Sequence, residues 1–224
     1  MKNMFIKILC ISVLSMFLIS CYSTTDLVFK PEINFRSPKL DFTKVQAIAT
    51  MPVNCYSDEI PEISQLINDG LPSELKRSQM AWNVISYDNV LRTVNDKGLG
   101  RGYQNYVADL NTYVSAAGAT PNFTAETQIF FEQLKNEMNL EAILFTSYGF
   151  IEQTVMVKRL LADQPVVRKT LSVTVILYEI SSKRTWWIAR LTLRGSDDYS
   201  NSELARKVIE GIANNFGKGE LRQL

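Results

Sequence analysis

The chain contains no histidine among its 224 residues, and that absence removes a good deal of chemistry. Ser–His–Asp triads, Cys–His dyads and histidine-based zinc sites all need an imidazole as base or ligand. Cysteine is nearly as scarce, with Cys10, Cys21 and Cys55 the full set. An excess of either charge is also lacking: 24 basic and 23 acidic residues leave a formal net charge of +1. No strong field is available to draw nucleic acid, so no nucleic-acid partner is expected. The glycines of 98–106, LGRGYQNY with Gly98 before it, fit neither the GxxxxGK[ST] nor the GxGxxG phosphate-binding spacing. No cofactor and no metal are expected.

What is present starts at the N-terminus. Lys2 and Lys7 precede an apolar run from Ile8 to Ile19, the layout of a secretory signal peptide. The run is shorter than the roughly 20 residues a membrane-spanning helix needs. It ends in Leu18-Ile19-Ser20-Cys21, which resembles the bacterial lipobox. Read without the cysteine, the segment is an ordinary secretory signal. The lipobox resemblance implies cleavage between Ser20 and Cys21 and acylation of Cys21 by diacylglyceryl and a further, palmitate-type chain. Two chains anchor stably where one binds only marginally. Tyr22 stands where enteric bacteria place the Asp that retains a lipoprotein at the inner membrane, so the expected address is the outer membrane, facing the periplasm. Loss of residues 1–20 takes Lys2 and Lys7 and shifts the formal charge to −1. Cys55 is then left alone, without a disulfide partner, and reads as a small apolar residue.

Three segments are expected: signal peptide 1–20, lipidated tether 21–41 and an α/β domain 42–224. Pro31 and Pro38 disfavour regular structure in the tether. Fully extended it reaches roughly 70 Å, less where LVFKPEINF packs on the domain. KVQAIATMPV (44–53) reads as a central strand stopped by Pro52. A helix follows with Ile63, Leu66, Ile67, Leu71 and Leu75 on one face, and Gly70 and Pro72 predict a kink or break in it. WNVISY is a short strand, and Asp88 caps a helix that Gly98 ends. The glycines of 98–106 predict a surface loop carrying Tyr103 and Tyr106 as contact residues. Helices are expected over VADLNTYVSAAG and, capped by Thr124, over TAETQIFFEQLKNEMN. LEAILFTSYGF is a strand.

The clearest pattern comes last. RKTLSVTVILYEI and TWWIARLTLRG alternate with period two around the turn SSKR, an antiparallel hairpin with one wet face. Ser200 and Glu203 form a capping box for a final helix striped by Leu204, Val208, Ile212 and Phe216, closed by Gly217. The fold class that results is α/β, a single domain whose mixed sheet ends in an antiparallel meander and is covered by helices.

With these elements in place the chain resembles the CsgG/LpoB/PelC superfamily of periplasmic lipoproteins, whose fold recurs in the amino-terminal domain of TolB. The lipobox, the proline-ended strand VQAIATMPV, the segment MNLEAILFTSYGFIE with Leu140, Glu141, Ala142 and Gly149, and the hairpin LSVTVILYEISSKRTWWIARLTLRG carry the resemblance. It covers most of 44–216. The turn has Ser182-Lys183 where Thr-Gly is usual, and 98–122 looks like an insertion. The resemblance implies a non-catalytic accessory or assembly factor, part of a secretion ring or envelope complex, that works through contacts with a partner protein or with copies of itself. The tether is short for an LpoB-like reach. No spare pair of strands long enough for a CsgG-like pore is evident, so a PelC-like lipid-anchored ring fits best.

The hairpin face carrying Trp186, Ile188, Arg190 and Arg194, with Tyr178 opposite, is the expected interface, since Trp and Arg are favoured anchors. Two alternatives stand beside it. Phe130, Phe131, Tyr148 and Phe150 could line a pocket in a periplasmic ligand-binding or sensor lipoprotein. The acid pairs Asp58-Glu59 and Asp197-Asp198 could serve a carboxylate hydrolase if a cleft held them about 5–10 Å apart.

Overall fold

A computed structural model of the protein describes residues 28–38, 45–57, 59–78, 82–115, 121–158, 163–196 and 199–216. The expected signal peptide, Ser20, Cys21, Asp58, Asp197, Asp198 and Gly217 lie outside them. Seven strands make one sheet: β1 Val28–Arg36, β2 Ala47–Thr50, β3 Asn54–Cys55, β4 Asn83–Ile85, β5 Ala142–Lys158, β6 Asp163–Glu179 and β7 Arg184–Ser196. Their order is β1-β7-β6-β5-β2-β4, with β3 paired to β5 beside the main path. β2 runs parallel to both β4 and β5, whereas β5, β6, β7 and β1 are successively antiparallel. The mixed sheet with its C-terminal meander is therefore as expected.

Five helices cover it: α1 Pro61–Ser78, α2 Tyr87–Asp96, α3 Gly100–Ser115, α4 Ala125–Met138 and α5 Asn201–Asn215. α1 and α5 pack on one face, where Ile63, Ile67, Leu71, Leu204, Val208 and Ile212 meet Leu144, Val175 and Trp187. Trp187 is fully buried there, its ring centroid 4.7 Å from that of Phe216. On the other face α2, α3 and α4 bring Val90, Tyr106, Phe130 and Phe131 onto Ile143, Phe145, Tyr178 and Ile188. The two faces thus carry separate apolar cores, and the hairpin has no wet face near its turn. Ile188 and Tyr178, expected on an outward surface, are buried.

Three further expectations are corrected. α1 continues without a break through Gly70 and Pro72. Its buried stripe Ile63, Ile67, Leu71 and Leu75 holds it against the sheet and α5, which outweighs the ~3 kcal/mol a helix-interior proline costs. The loop expected at 98–106 is a helix from Gly100, and Gly98, with φ +66°, is the turn between α2 and α3. Gly102 reflects close packing: a β-carbon there would come 2.8 Å from Phe130 Cβ. Part of the expected tether is strand β1, paired with β7 along Val28–Arg36. Pro31 is accommodated because β1 is an edge strand and its register shifts beside that residue.

The caps agree more closely. Thr124 accepts from Thr127 N, and Asn139 at φ 53° closes α4. Ser200 and Glu203 complete both halves of the capping box of α5. Asp88 lies in the first turn of α2, whose cap position is Ser86.

Candidate functional site

β5 and β6 are each 17 residues long and pair without interruption from Ala142↔Glu179 to Lys158↔Asp163. Their neighbours are shorter. β2 and β3 accompany β5 only as far as Tyr148, and β7 accompanies β6 only as far as Arg168↔Ser196. Residues 154–158 and 163–167 therefore form a two-stranded ribbon projecting from the sheet with both edges open. Ile151 at its base and Met156 near its end are 53% and 64% exposed.

The backbone phase explains how Pro165 fits in this ribbon. Tyr148 O accepts from Tyr56 N, and Phe150 N donates to Ser57 Oγ, so the even residues of β5 turn their peptide groups away from β6. Met156, opposite Pro165, keeps that phase, and the missing N–H of the proline faces the open edge.

At the base of the ribbon one sheet face loses its helical cover. Side chains on that face run Arg190, Thr192, Arg194 along β7 and Arg168, Thr170, Ser172, Thr174 along β6. Arg190 Nε donates to Thr174 Oγ1 at 3.1 Å, and the Ser172 and Thr192 hydroxyls lie 3.1 Å apart. Tyr56 lies over Gly149 and donates to Ser172 O at 3.4 Å. Arg194 and Arg168 are exposed, and Ile151 is in the row of Arg194 and Thr170. The face is a basic, hydroxyl-rich strip ending in an exposed apolar residue.

The expected interface residues separate. Arg190 and Arg194 lie on this strip, and Trp186 is half-buried against the core of α1 and α5. Ile188 is covered by helices. Tyr103 is half-buried, and Tyr106, 1% exposed, lies among Phe123, Phe130, Phe131 and Phe145 on the far side of the helical cover. Helical periodicity brings Tyr103 and Tyr106 inward once 100–115 is helix. Arg168, Ile151 and the ribbon were not singled out by sequence reasoning. The signal available was Arg168 in phase with Arg190 and Arg194 on the hairpin.

The aromatic pocket does not form. Phe130 and Phe131 are buried in one core, whereas Tyr148 and Phe150 belong to the other, across the sheet. Edge-to-face ring contacts such as Phe123–Phe131 at 5.0 Å fill the space. The Tyr148 hydroxyl is tied to Ser64 Oγ at 2.8 Å and donates to Ile60 O at 3.2 Å, and burial raises its pKa above the ordinary tyrosine value. Ser64 also donates to Glu59 Oε1 at 3.0 Å, so the one described acid of the two pairs serves the start of α1. Cys55 is half-buried, with Sγ 3.4 Å from Ser57 O.

A groove of about 740 Å³ separates α1 from α5, lined by residues including Glu74, Arg77, Arg206 and Glu210. Its charges pair locally, Arg77 with Glu74 at 2.6 Å and Arg206 with Glu210 at 3.1 Å. Among the described residues no group of three metal-ligating side chains forms, and no helix is long and apolar enough to cross a membrane.

No protein-family model matches the chain, and no curated protein matches it. Among solved structures it is similar to the PelC dodecamer of Paraburkholderia phytofirmans, 14% identical over 88% of this chain and 100% of that one, with a TM-score of 0.47. It is also similar to lipoprotein GNA1162 of Neisseria meningitidis, 14% identical over 78% of this chain and 99% of that one, TM-score 0.45. A neuraminyllactose-binding hemagglutinin homolog of Helicobacter pylori is 9% identical over 78% of this chain and 84% of that one, TM-score 0.43.

Proposed function

We propose that this chain is a lipid-anchored bacterial envelope protein without catalytic activity, held at the outer membrane through acylated Cys21 and facing the periplasm. It acts as an accessory or assembly factor by binding a protein partner or copies of itself. The observation that carries the contact role is the uncovered sheet face at the base of the ribbon. There Arg168 and Arg194 flank the row holding exposed Ile151, a mixture of guanidinium and apolar surface that suits protein recognition. The lipobox-like Leu18–Cys21 supplies the address.

Two measurements test the parts separately. Labelled palmitate should enter the wild-type chain and not Cys21→Ala, whose sulfur is gone. A photocrosslinking residue at Ile151 should give a discrete protein adduct in intact envelopes, and one at Ile129, exposed on α4, should not. Unlabelled wild type would remove the anchor, and equal or absent adducts at 151 and 129 would remove the contact surface. If only Arg194→Glu among these variants retained full adduct yield, the arginine strip would have no part in binding.

A further inference from the structure

The far end of the ribbon is left unused by the contact face at its base. Val155 stands opposite Val166, Met156 opposite Pro165, and Thr154 opposite Val167. Successive strand residues point to opposite faces, so Val155 and Val166 share one face while Met156, Pro165 and Val167 share the other. An isolated two-stranded ribbon is marginally stable in water. One that is apolar on both faces suits surroundings that are apolar on both sides, whereas a protein docked on one face leaves the other wet.

The register shows where the ribbon points. Val28, Arg194, Thr170 and Ile151 form one row across β1, β7, β6 and β5. β1 begins at that row and runs away from the ribbon, so the chain leading back from Val28 to Cys21 leaves the sheet at the ribbon's end. Seven residue steps separate Cys21 from Val28, which limits their distance to about 25 Å. The ribbon rises beyond the same row by residues 152–158 of β5, about 23 Å at the usual rise per residue. A bilayer holding Cys21 cannot lie farther from the row than the ribbon nearly reaches.

We infer that the distal β5–β6 ribbon is a membrane-contacting element, with Val155, Met156, Pro165, Val166 and Val167 entering the surface of the bilayer that holds Cys21. The inference rests on the anchoring reading above. The depth is interfacial: open strand edges cannot be satisfied in the hydrocarbon interior, and Lys158 and Asp163, opposite in sign, occupy the last described pair. Just inward of the apolar band lie exposed Arg168 and, nearer the body, Arg194, suitably placed for anionic headgroups. The ribbon would act as a second membrane signal beside the acyl chains, fixing the tilt of the body rather than adding reach.

The test uses the full acylated chain in vesicles of phosphatidylethanolamine and phosphatidylglycerol, with Cys55→Ser as background. An environment-sensitive fluorophore is attached at Met156→Cys and, in a separate sample, at Ile129→Cys on α4. Intact mass establishes acylation of Cys21 in each sample. The expected result is a blue shift at 156 with several-fold stronger quenching by brominated lipids than at 129. Vesicle-bound, acylated protein whose 156 probe stays in water overturns the membrane contact and leaves the anchor standing. A bare Cys21 with no vesicle binding sinks the anchor and this inference together. A 156 probe shielded before vesicles are added, with Val155→Cys forming disulfide-linked dimers, assigns the ribbon to a second copy and overturns the lipid contact. Val166→Asp in the acylated chain should return the 156 probe to water while the far-ultraviolet circular dichroism stays unchanged.

Discussion

The ring of Tyr56 lies against the backbone of Gly149, so close that a β-carbon at 149 would fall 2.2 Å from Tyr56 Cε2. The atoms in the way are the outer end of a side chain 46% exposed, so the ring can swing out. Gly149→Ala should therefore cost about 0.5–1.5 kcal/mol, the scale of the lost hydrogen bond to Ser172 O. In a Tyr56→Ala background the obstacle is gone, and the same substitution should gain roughly 0.5–1 kcal/mol because glycine is unfavourable within a strand. Urea unfolding of the four proteins of this cycle checks the change of sign.

Two helical glycines should respond differently to alanine. At Gly102 the new β-carbon meets Phe130 Cβ at 2.8 Å, an atom fixed close to its own backbone in a filled core. Overpacking there should cost about 1–3 kcal/mol, more than the gain in helix propensity. At Gly70 the obstacle is Ile209 Cδ1 at 2.9 Å, the free end of its side chain. Rotation of that methyl leaves the ~0.5–1 kcal/mol helix gain nearly intact, and Gly70→Ala should lie close to wild type. Thermal melts of both variants rank them.

Tyr106 is buried, and its hydroxyl has no hydrogen-bond partner among the described residues. Burial raises its pKa well above the ordinary tyrosine value. An unpaired buried hydroxyl carries a desolvation cost of about 1–3 kcal/mol. Tyr106→Phe should therefore leave the midpoint unchanged or raise it, and a loss above roughly 1 kcal/mol would show that the hydroxyl has a partner.

The start of α5 should be sensitive to acid. Backbone and side-chain hydrogen bonds from Ser200 to the Glu203 carboxylate lower its pKa below the model value of 4.5. The folded pKa is depressed, so the contribution is present above that model value and is lost as pH falls through the folded one. Glu203→Gln should melt below wild type at neutral pH, and the gap should close under acid. A gap unchanged down to the acid limit would show that charge plays no part in this cap.

Legibility in the sequence followed the burial of each segment. Strands at the core half of the hairpin showed clean alternation because each residue there faces either a helix-covered core or polar surroundings. Residues 151–158 mix Val and Met with Glu, Gln and Thr, and their partners include Pro165, so no single period marks them as strand. The ribbon lies beyond both cores, where burial imposes no pattern. α3 was hidden for another reason. Gly100 and Gly102 carry a loop signal, but at Gly102 the residue is small because Phe130 crosses it. β1 was masked by Pro31, which an edge position and a register shift accommodate. At the candidate site, Arg190 and Arg194 were readable from the hairpin, whereas Ile151 and Arg168 become neighbours of that face only through the pairing of β5, β6 and β7.

The unbroken pairing of β5 with β6 has a mechanical consequence. A force that draws the turn outward along the strands pulls both arms the same way, so it cannot peel one from the other. It must slide β5 past β2 and β3, and β6 past β7, straining those ladders together. A sideways force at the same point bends the free arms alone. The molecule should be stiff to axial load and compliant to lateral load.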